Sequence, residues 1–325
     1  IARILALQGA RLIIDVVNLV ATARDPKDLM NQQYAFMLPV RALENRIWLV
    51  TADKCGMEGN CAVYLGRSIV VNPEGKIVAE CPPDRPEILI CDVDLEKALG
   101  PEDMKLPAAC GILSHPTPEL PIYQKMTRAS GPVSAGERLT AAVQFRAGTM
   151  EEYLEKAYRY IHAAQCSYCR VVALPPFDGE AELQQMCLLL QKVIVKDDIV
   201  VFTACREDGG LHAGAVTERE IRTPWKYGED LCAEEIDGVG YCVLSDESLY
   251  TPELPRAAML MGGEVLIWMD RRAREMDLKV AQTRAAENKM FVVRASSAEQ
   301  DVSYLVTPAG ATACTTFCHA EQLAC

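Results

Sequence analysis

Short apolar runs alternate with longer stretches of helical period along this chain. Residues 1 to 9 are helical in pattern, and "ARLIIDV" reads as a short buried strand. "PKDLMNQQYAFMLPVRALENR" reads as a helix whose Asp25-Pro26 start suits an N-cap and first turn. Pro39 must kink or split that helix, because proline has no N–H and its ring clashes with the preceding turn. "IWLVTADK" is a strand, "SIVVNPEGKIVAE" is two strands joined by a Pro-Glu-Gly turn, and "EILICDVDL" is a further strand. From about 100 to 137 the chain is rich in Pro, Gly and Ser and has no sustained period, as a linker does. The alternation then resumes. "LTAAVQF" is a strand, "MEEYLEKAYRYIHAAQ" an amphipathic helix, "CRVVALPPF" a strand, "AELQQMCLLLQKVIVKDD" a helix and "IVVFTAC" a strand. Apolar strands alternating with helices imply an α/β sandwich with both sheet faces covered.

Composition narrows the function classes. At 325 residues, half of them apolar, the chain is long enough for two domains with substantial cores. No run of about 18 apolar residues predicts a membrane span. A net charge of -12 and a pI near 5.0 argue against a nucleic-acid surface, whose affinity comes from Lys and Arg neutralising phosphates. Small-molecule or protein partners fit better. The 14 cysteines are scattered, many inside apolar runs such as "GYCVL", which suits a reducing, cytoplasmic compartment. Cys166 and Cys169 in "CSYC" have metal-like spacing but no second pair beside them, so they read as thiols at a helix-to-strand junction and no metal is expected.

The pattern also repeats in order. "IARILALQGARLIIDV" matches the stretch from Leu254, pairing Arg3 with Arg256, Leu7 with Leu260, Gly9 with Gly262 and Ile14 with Ile267. "RALENRIWLVTA" matches "RAAENKMFVVRA", with Arg41 on Arg284, Glu44 on Glu287 and Asn45 on Asn288. "SIVVNPEGKIVAE" matches "SYLVTPAGATACT", and "EILIC" matches "EQLAC". Conserved order with drifting spacing is what duplicated elements with unequal loops produce. Two copies of one domain are expected in tandem: the C-terminal part of a first over 1–105, a linker over 106–137, and a second over 138–325. Leu139 to Glu253 has no counterpart ahead of Ile1, so the chain reads as the back of one domain followed by most of another.

These residues resemble the nitrilase superfamily of carbon-nitrogen hydrolases. The likeness rests on "ARILALQGA", the "RALEN" and "RAAEN" helix ends, the Ser-x-x-x-x-Pro-x-Gly hairpins, and "LTAAVQF", "MEEYLEKAYRYIHAA" and "VVALP" as an opening strand, helix and second strand. It implies an αββα four-layer sandwich of the nitrilase type, repeated in tandem. It also implies hydrolysis of an amide, nitrile or carbamoyl compound through a Cys thioester, with no cofactor. Such enzymes use a Cys nucleophile, a Glu base and a Lys that steadies the tetrahedral intermediate. In the second copy those places hold other residues. "VVALPPF" puts Pro176 where the Glu belongs, and "TEREIRTPW" offers Arg222 for the Lys, with Lys226 one turn away. A supporting Glu would fall near Glu229. "VLSDESLYTPELPR" puts Ser245 where the Cys belongs.

The second copy is therefore expected to be catalytically degenerate, with the intact triad of the parent lying upstream of Ile1. Serine needs an adjacent base, and none of His115, His162, His212 and His319 sits in a motif linking it to this elbow. Arg41 with Glu44 and Arg284 with Glu287 lie at helical spacing, so a structural pairing is expected of them. Cys55 and Cys61 read as loop thiols. The partners implied are a small-molecule amide or nitrile if the parent is active, no nucleic acid, no membrane, and an intramolecular pseudo-dimer or homo-oligomer. The competing class is a non-catalytic nitrilase-fold protein used for binding or assembly.

Overall fold

Two apolar strands paired in parallel organise the first part of the chain. Helix α1 (Ala2–Leu7) leads into β1 (Leu12–Val17), which pairs in parallel with β2 (Trp48–Asp53), from Leu12 opposite Trp48 to Val17 opposite Asp53. Parallel neighbours need a crossover connection, and helix α2 (Leu38–Asn45) supplies it. The single long helix expected here is divided. Wide π-type turns over Gln33–Met37 run directly into α2: Met37 and Leu38 are both right-handed helical, the Leu38 N–H reaches back to the Gln33 carbonyl, and Pro39, with no N–H to give, falls where the turns change from π to α. A hairpin of β3 (Cys55–Glu58) and β4 (Ala62–Leu65) follows, and β5 (Ile69–Val71) and β6 (Ile77–Glu80) extend the sheet in the order β1-β2-β5-β6. One face packs Leu49 and Val71 against Leu38 and Ala42 of α2. On the other, Trp48 and Val70 meet Leu89, Cys91 and Val93. The stretch "EILICDVDL" forms no strand, contrary to its pattern.

This computed structural model describes residues 1–325 apart from 23–24, 26–27, 101–137, 196–198, 227–230, 232 and 298–300. Pro26, most of the expected linker and Glu229 therefore lie outside the described residues. The chain divides into one unit of residues 1–106 with 276–283 and another of 107–275 with 284–325. Among the described residues no helix is long and apolar enough to cross a membrane.

The second unit contains two sheets. The elements are β7 (Thr140–Gln144), α3 (Met150–Cys166), β8 (Val171–Ala173), β9 (Phe177–Glu180), α4 (Leu183–Gln191), β10 (Val200–Glu207), β11 (Gly210–Val216) and β12 (Ile221–Lys226). Next come β13 (Glu234–Ile236), β14 (Val239–Ser245), α5 (Glu253–Leu260), β15 (Val265–Asp270), α6 (Asp277–Asn288), β16 (Phe291–Ser296), β17 (Tyr304–Val306), β18 (Thr312–Thr315) and β19 (Gln322–Ala324). One sheet runs β12-β11-β10-β8-β7-β19, with β9 beside β10, and the other runs β13 to β18 in order. Their inner faces meet through Ala142, Val171, Ala173 and Phe202 on one side and Val243, Ile267, Met269 and Val293 on the other. The outer face of the first sheet is covered by α3 and α4, with Tyr153, Ile161, Met186 and Leu190 against Val143, Val172 and Val201. Outside the second sheet, the Cys242 thiol of β14 reaches the Ala258 carbonyl of α5 at 3.8 Å. The result is an α/β sandwich of layered helices and sheets, as the patterning implies. Helix α3 starts where the Thr149 hydroxyl accepts the Glu152 N–H at 3.2 Å, while the Glu152 carboxylate accepts the Gly148 N–H at 2.8 Å.

Residues that match in sequence make matching contacts. Arg3 donates to the Glu44 carbonyl at 3.2 Å, and Arg256 to the Glu287 carbonyl at 3.1 Å. Arg41 pairs with Glu44 at 2.5 Å, and Arg284 with Glu287 at 2.8 Å. The amides of Asn45 and Asn288 donate to the Arg41 and Arg284 carbonyls, and the next residues, Arg46 and Lys289, turn left-handed at φ 50° and 57°. The Ser68 hydroxyl accepts the Asp53 N–H, and the Ser303 hydroxyl accepts the Ser296 N–H, both at 3.0 Å. The two Arg-Glu pairs differ in depth. The Arg284 side chain is 1% exposed and that of Arg41 29%. Breaking a buried pair leaves an uncompensated charge and costs about 3 to 5 kcal/mol, whereas solvated pairs contribute about 1 kcal/mol or less. What truncating either arginine leaves behind is the glutamate, 2% exposed at Glu44 and 13% at Glu287, so urea unfolding should show Arg41→Ala and Arg284→Ala each destabilising its own unit by about 3 kcal/mol.

Candidate functional site

Parallel strands deliver their carboxyl ends, and the loops that follow them, to one edge of a sheet, which is where α/β folds build sites. In the second unit β14, β15 and β16 end there at Ser245, Asp270 and Ser296, with Ser245 opposite Met269 and Asp270 opposite Ser296. Ser245 is still extended, at φ -119° and ψ 153°. The chain turns at the next residue. Asp246 is left-handed at φ 44° and opens a 3-10 turn over Asp246–Tyr250. Asp tolerates that conformation better than most residues with a Cβ, so the bend falls one residue past the serine singled out from sequence.

The Asp246 carboxylate is already engaged. Arg271, just past β15, clasps it through Nε at 3.3 Å and Nη2 at 2.7 Å, and the Asp246 carbonyl accepts the Trp268 indole N–H at 2.9 Å. Such a fork occupies both carboxylate oxygens. The turn is fastened further along by Arg284, whose Nε donates to the Leu249 carbonyl at 2.9 Å. Both helix-end arginines singled out from sequence thus hold structure, and Arg284 also holds the elbow.

Among the described residues the other expected positions make no hydrogen bond to this pair, although Asp178, two residues past Pro176, lies near enough to Arg271 for the two charges to attract. Pro176 is buried in the turn between β8 and β9, beside Pro175, whose carbonyl accepts the Tyr153 hydroxyl at 2.8 Å. The nearest downstream acid, Asp178, accepts the Ser297 hydroxyl at 3.4 Å. Arg222 lies on β12 opposite Ala215 and is ion-paired to Glu220 at 2.8 Å and Glu234 at 3.2 Å, with a further bond to the Glu235 carbonyl. None of those partners belongs to the Asp246–Arg271 pair. Lys226 is exposed at the end of β12, opposite His212. Asp246, Arg271, Asp178 and Ser297 escaped the sequence reading. The usable signal was the Asp directly after an apolar strand, a residue suited to a left-handed turn.

The thiols and imidazoles supply no replacement nucleophile or base at the elbow among the described residues. Cys187 and Cys205 are buried, which pushes both thiols up to about 12, and burial pushes Cys169 up to about 11. Cys166 is exposed, 3.9 Å from the His162 ring. Cys55 begins β3, half-buried, and Cys61 is exposed in the β3–β4 turn. His212 sits 3.3 Å from Glu207. His319 lines an open depression of about 210 Å³ with Gln144, Arg146, Ser297 and Glu321. His115 lies outside the described residues. Among the described residues no group of three His, Cys, Asp or Glu could hold a metal ion.

In the first unit, the corresponding strand end carries Asp53. Its Oδ1 accepts the Leu19 N–H at 2.8 Å while Oδ2 is buried without a partner. Burial pushes the carboxyl up to about 6, against the pull of the Leu19 and Lys54 N–H groups.

Part of the chain is similar in sequence to known proteins. Residues 1–98 match the carbon-nitrogen hydrolase family model. A nitrilase of Pyrococcus abyssi is 33% identical over 95 residues, which is 29% of this chain and 32% of that protein. A hydrolase in the agr operon of Staphylococcus aureus is 35% identical over 66 residues, 20% of this chain and 24% of that protein. The chain thus spans about a third or less of the curated relatives it matches. Among solved structures, an amidase from Nesterenkonia sp. superposes with a TM-score of 0.50 at 16% identity, over 60% of this chain and 92% of the amidase. That likeness concerns the fold.

Two measurements follow from the site. Asp53 holds a proton in the folded chain between about pH 4 and 6 that the unfolded chain has released, so stability should fall as pH rises through that window. Thermal melts across pH should show Asp53→Asn removing this fall, with its gain larger at neutral pH than in acid. Iodoacetamide under native conditions should label Cys61 and Cys166 and leave Cys187 and Cys205 unmodified by peptide mass, because alkylation needs an exposed thiolate.

Proposed function

Starting from a nitrilase-superfamily segment over residues 1–98, we propose that the chain is part of a carbon-nitrogen hydrolase in which two nitrilase-type domains follow one another, over 1–105 and 138–325. The pairwise contacts shared by matched residues support the duplication. In this reading the first domain is the catalytic one, and its Cys, Glu and Lys come from polypeptide ahead of Ile1. The substrate class is a linear amide, nitrile or carbamoyl compound. With an amide, the thiolate bonds to the carbonyl carbon, the carbon-nitrogen bond breaks as nitrogen takes a proton from the acid, and water then cleaves the thioester to release the carboxylic acid.

The second domain does no such chemistry in this reading, and one observation carries that conclusion. At its elbow the bend residue is a carboxylate clasped by Arg271, and the residue before it is a serine for which no hydrogen bond to a basic side chain is seen among the described residues. A serine hydroxyl attacks only when a neighbour removes its proton. Both oxygens of Asp246 are taken up by Arg271, and Pro176 offers no side-chain base. The domain then serves as a scaffold that pairs with its own kind, within the chain or between copies.

Incubating the 325-residue chain with short aliphatic amides and nitriles should release no ammonia above buffer. Ammonia release that Ser245→Ala abolishes would overturn the non-catalytic reading of the second domain. A parent sequence with no Cys-bearing elbow ahead of Ile1 would instead favour a protein used for binding or assembly.

A further inference from the structure

Three thiols of the second unit gather beside the short strand β19. Cys169 follows the turn that ends α3, where its N–H donates to the Ala164 carbonyl at 2.9 Å. Its side chain is buried in the core that includes Ala141 and Val143 of β7 and Val172 of β8, with Leu323 of β19 packed against it. Strand β7 lies between the other two, Ala142 being opposite Ala173 on one side and Ala324 on the other. Side chains alternate along a strand, so Cys325, two positions past Leu323, continues the face that Leu323 turns to this core. The Cys325 and Cys169 side chains meet within hydrogen-bonding reach, although Cys325 is exposed and Cys169 buried. Cys314 of β18, half-buried, is near enough to Cys325 to feel its charge.

The two ends of β19 are held differently. Ahead of it, Glu321 is ion-paired to Lys156 at 2.5 Å and Arg159 at 3.2 Å, both on α3, and the Gln144 amide donates to the Phe317 and Ala320 carbonyls at 3.0 Å. At the Cys325 end no ion pair is present among the described residues, and the strand rests on its pairing with β7 and the packing of Leu323. An edge strand held by so few pairings opens readily.

We propose that Cys169 and Cys325 are a redox-sensitive pair whose disulfide fastens the free end of β19 to the junction of α3 and β8. The oxidant is a low-molecular-weight disulfide of the glutathione class. Cys325, at the surface, gives up its proton and attacks one glutathione sulfur, which forms a mixed disulfide and releases the first glutathione as a thiolate that takes up a proton. Cys169 then loses its proton, bonds to the Cys325 sulfur and releases the second glutathione. Two protein thiols and one glutathione disulfide thus become one protein disulfide and two glutathione thiols. Burial, which pushes Cys169 up to about 11, suits it to the second step, because a shielded thiol reacts only with a sulfur delivered beside it. The bond limits how far an opened β19 can stray, so the closed strand is favoured. Neither the duplication nor any catalysis enters this assignment.

The test equilibrates the 325-residue chain in buffers poised from reduced to oxidised glutathione, caps the remaining thiols with iodoacetamide after unfolding, and maps the links by peptide mass. Rising oxidation should yield a linked Cys169–Cys325 peptide pair. In the Cys325→Ser chain Cys169 should stay a free thiol, and in the Cys169→Ala chain Cys325 should stop at the mixed disulfide with glutathione. Hydrogen exchange in the peptide 321–325 should slow about tenfold or more in the linked chain, and the same oxidising buffer should leave it unchanged in Cys325→Ser. Should Cys169→Ala fail to fold, Cys325→Ser, altered at an exposed position, decides alone. A link from Cys325 to Cys314 or from Cys169 to Cys166, or an unsubstituted chain whose Cys325 stops at glutathione, would overturn the pairing. Unchanged exchange in a chain that does carry the Cys169–Cys325 link would overturn the fastening of β19.

Discussion

A sheet with apolar residues on both faces has to be covered twice, and the layering of this molecule follows from that requirement. In the second unit the requirement is met. Helices α3 and α4 cover one sheet from outside, α5 lies outside the other, and the two inner faces close on each other around Phe202, Ile267 and Met269. In the first unit helix α2 covers one face and the stretch through Leu89, Cys91 and Val93 covers only part of the other. Strands β1 and β2 pair in the register of β15 and β16 but are shielded less completely.

The elbow of the second unit shows how a fold and its chemistry separate. The strand, the left-handed turn and the following helix are all present, and so are the contacts that fix them: Trp268 to the Asp246 carbonyl and Arg284 to the Leu249 carbonyl. Charged residues at and around the positions singled out from sequence satisfy one another. Asp246 faces Arg271, and Arg222 faces Glu220 and Glu234. A charge committed to a partner inside the protein is no longer free to stabilise a charge on a substrate.

Much of this was legible in the sequence, because order along the chain survives where identity does not. The matched Arg, Glu, Asn and Ser positions located elements whose hydrogen bonds coincide. Periodicity found the strands and helices of the second unit within a few residues. It failed where an element depends on a partner elsewhere. "EILICDVDL" has the composition of a strand, but a strand exists only when a neighbour takes its hydrogen bonds, and no residue-level pattern reports whether the neighbour is there. Which residue makes the elbow's left-handed bend was not legible either, for a related reason. Ser245 attracts notice as a nucleophile type, whereas the bend is set by backbone dihedrals that favour the Asp beside it. Charge pairing across distant segments, such as Asp246 with Arg271, leaves no local signature at all.

The way the elbow is fastened has one more consequence. Its anchors are backbone carbonyls, gripped by an indole and a guanidinium that belong to other elements. Ser245, the residue before the bend, takes no part in those grips or in the Asp246–Arg271 fork, so its side chain is open to replacement without rebuilding what surrounds it. Evolution can erase a reactive group at such a place, or an engineer write one in, because the scaffold there is indifferent to that side chain.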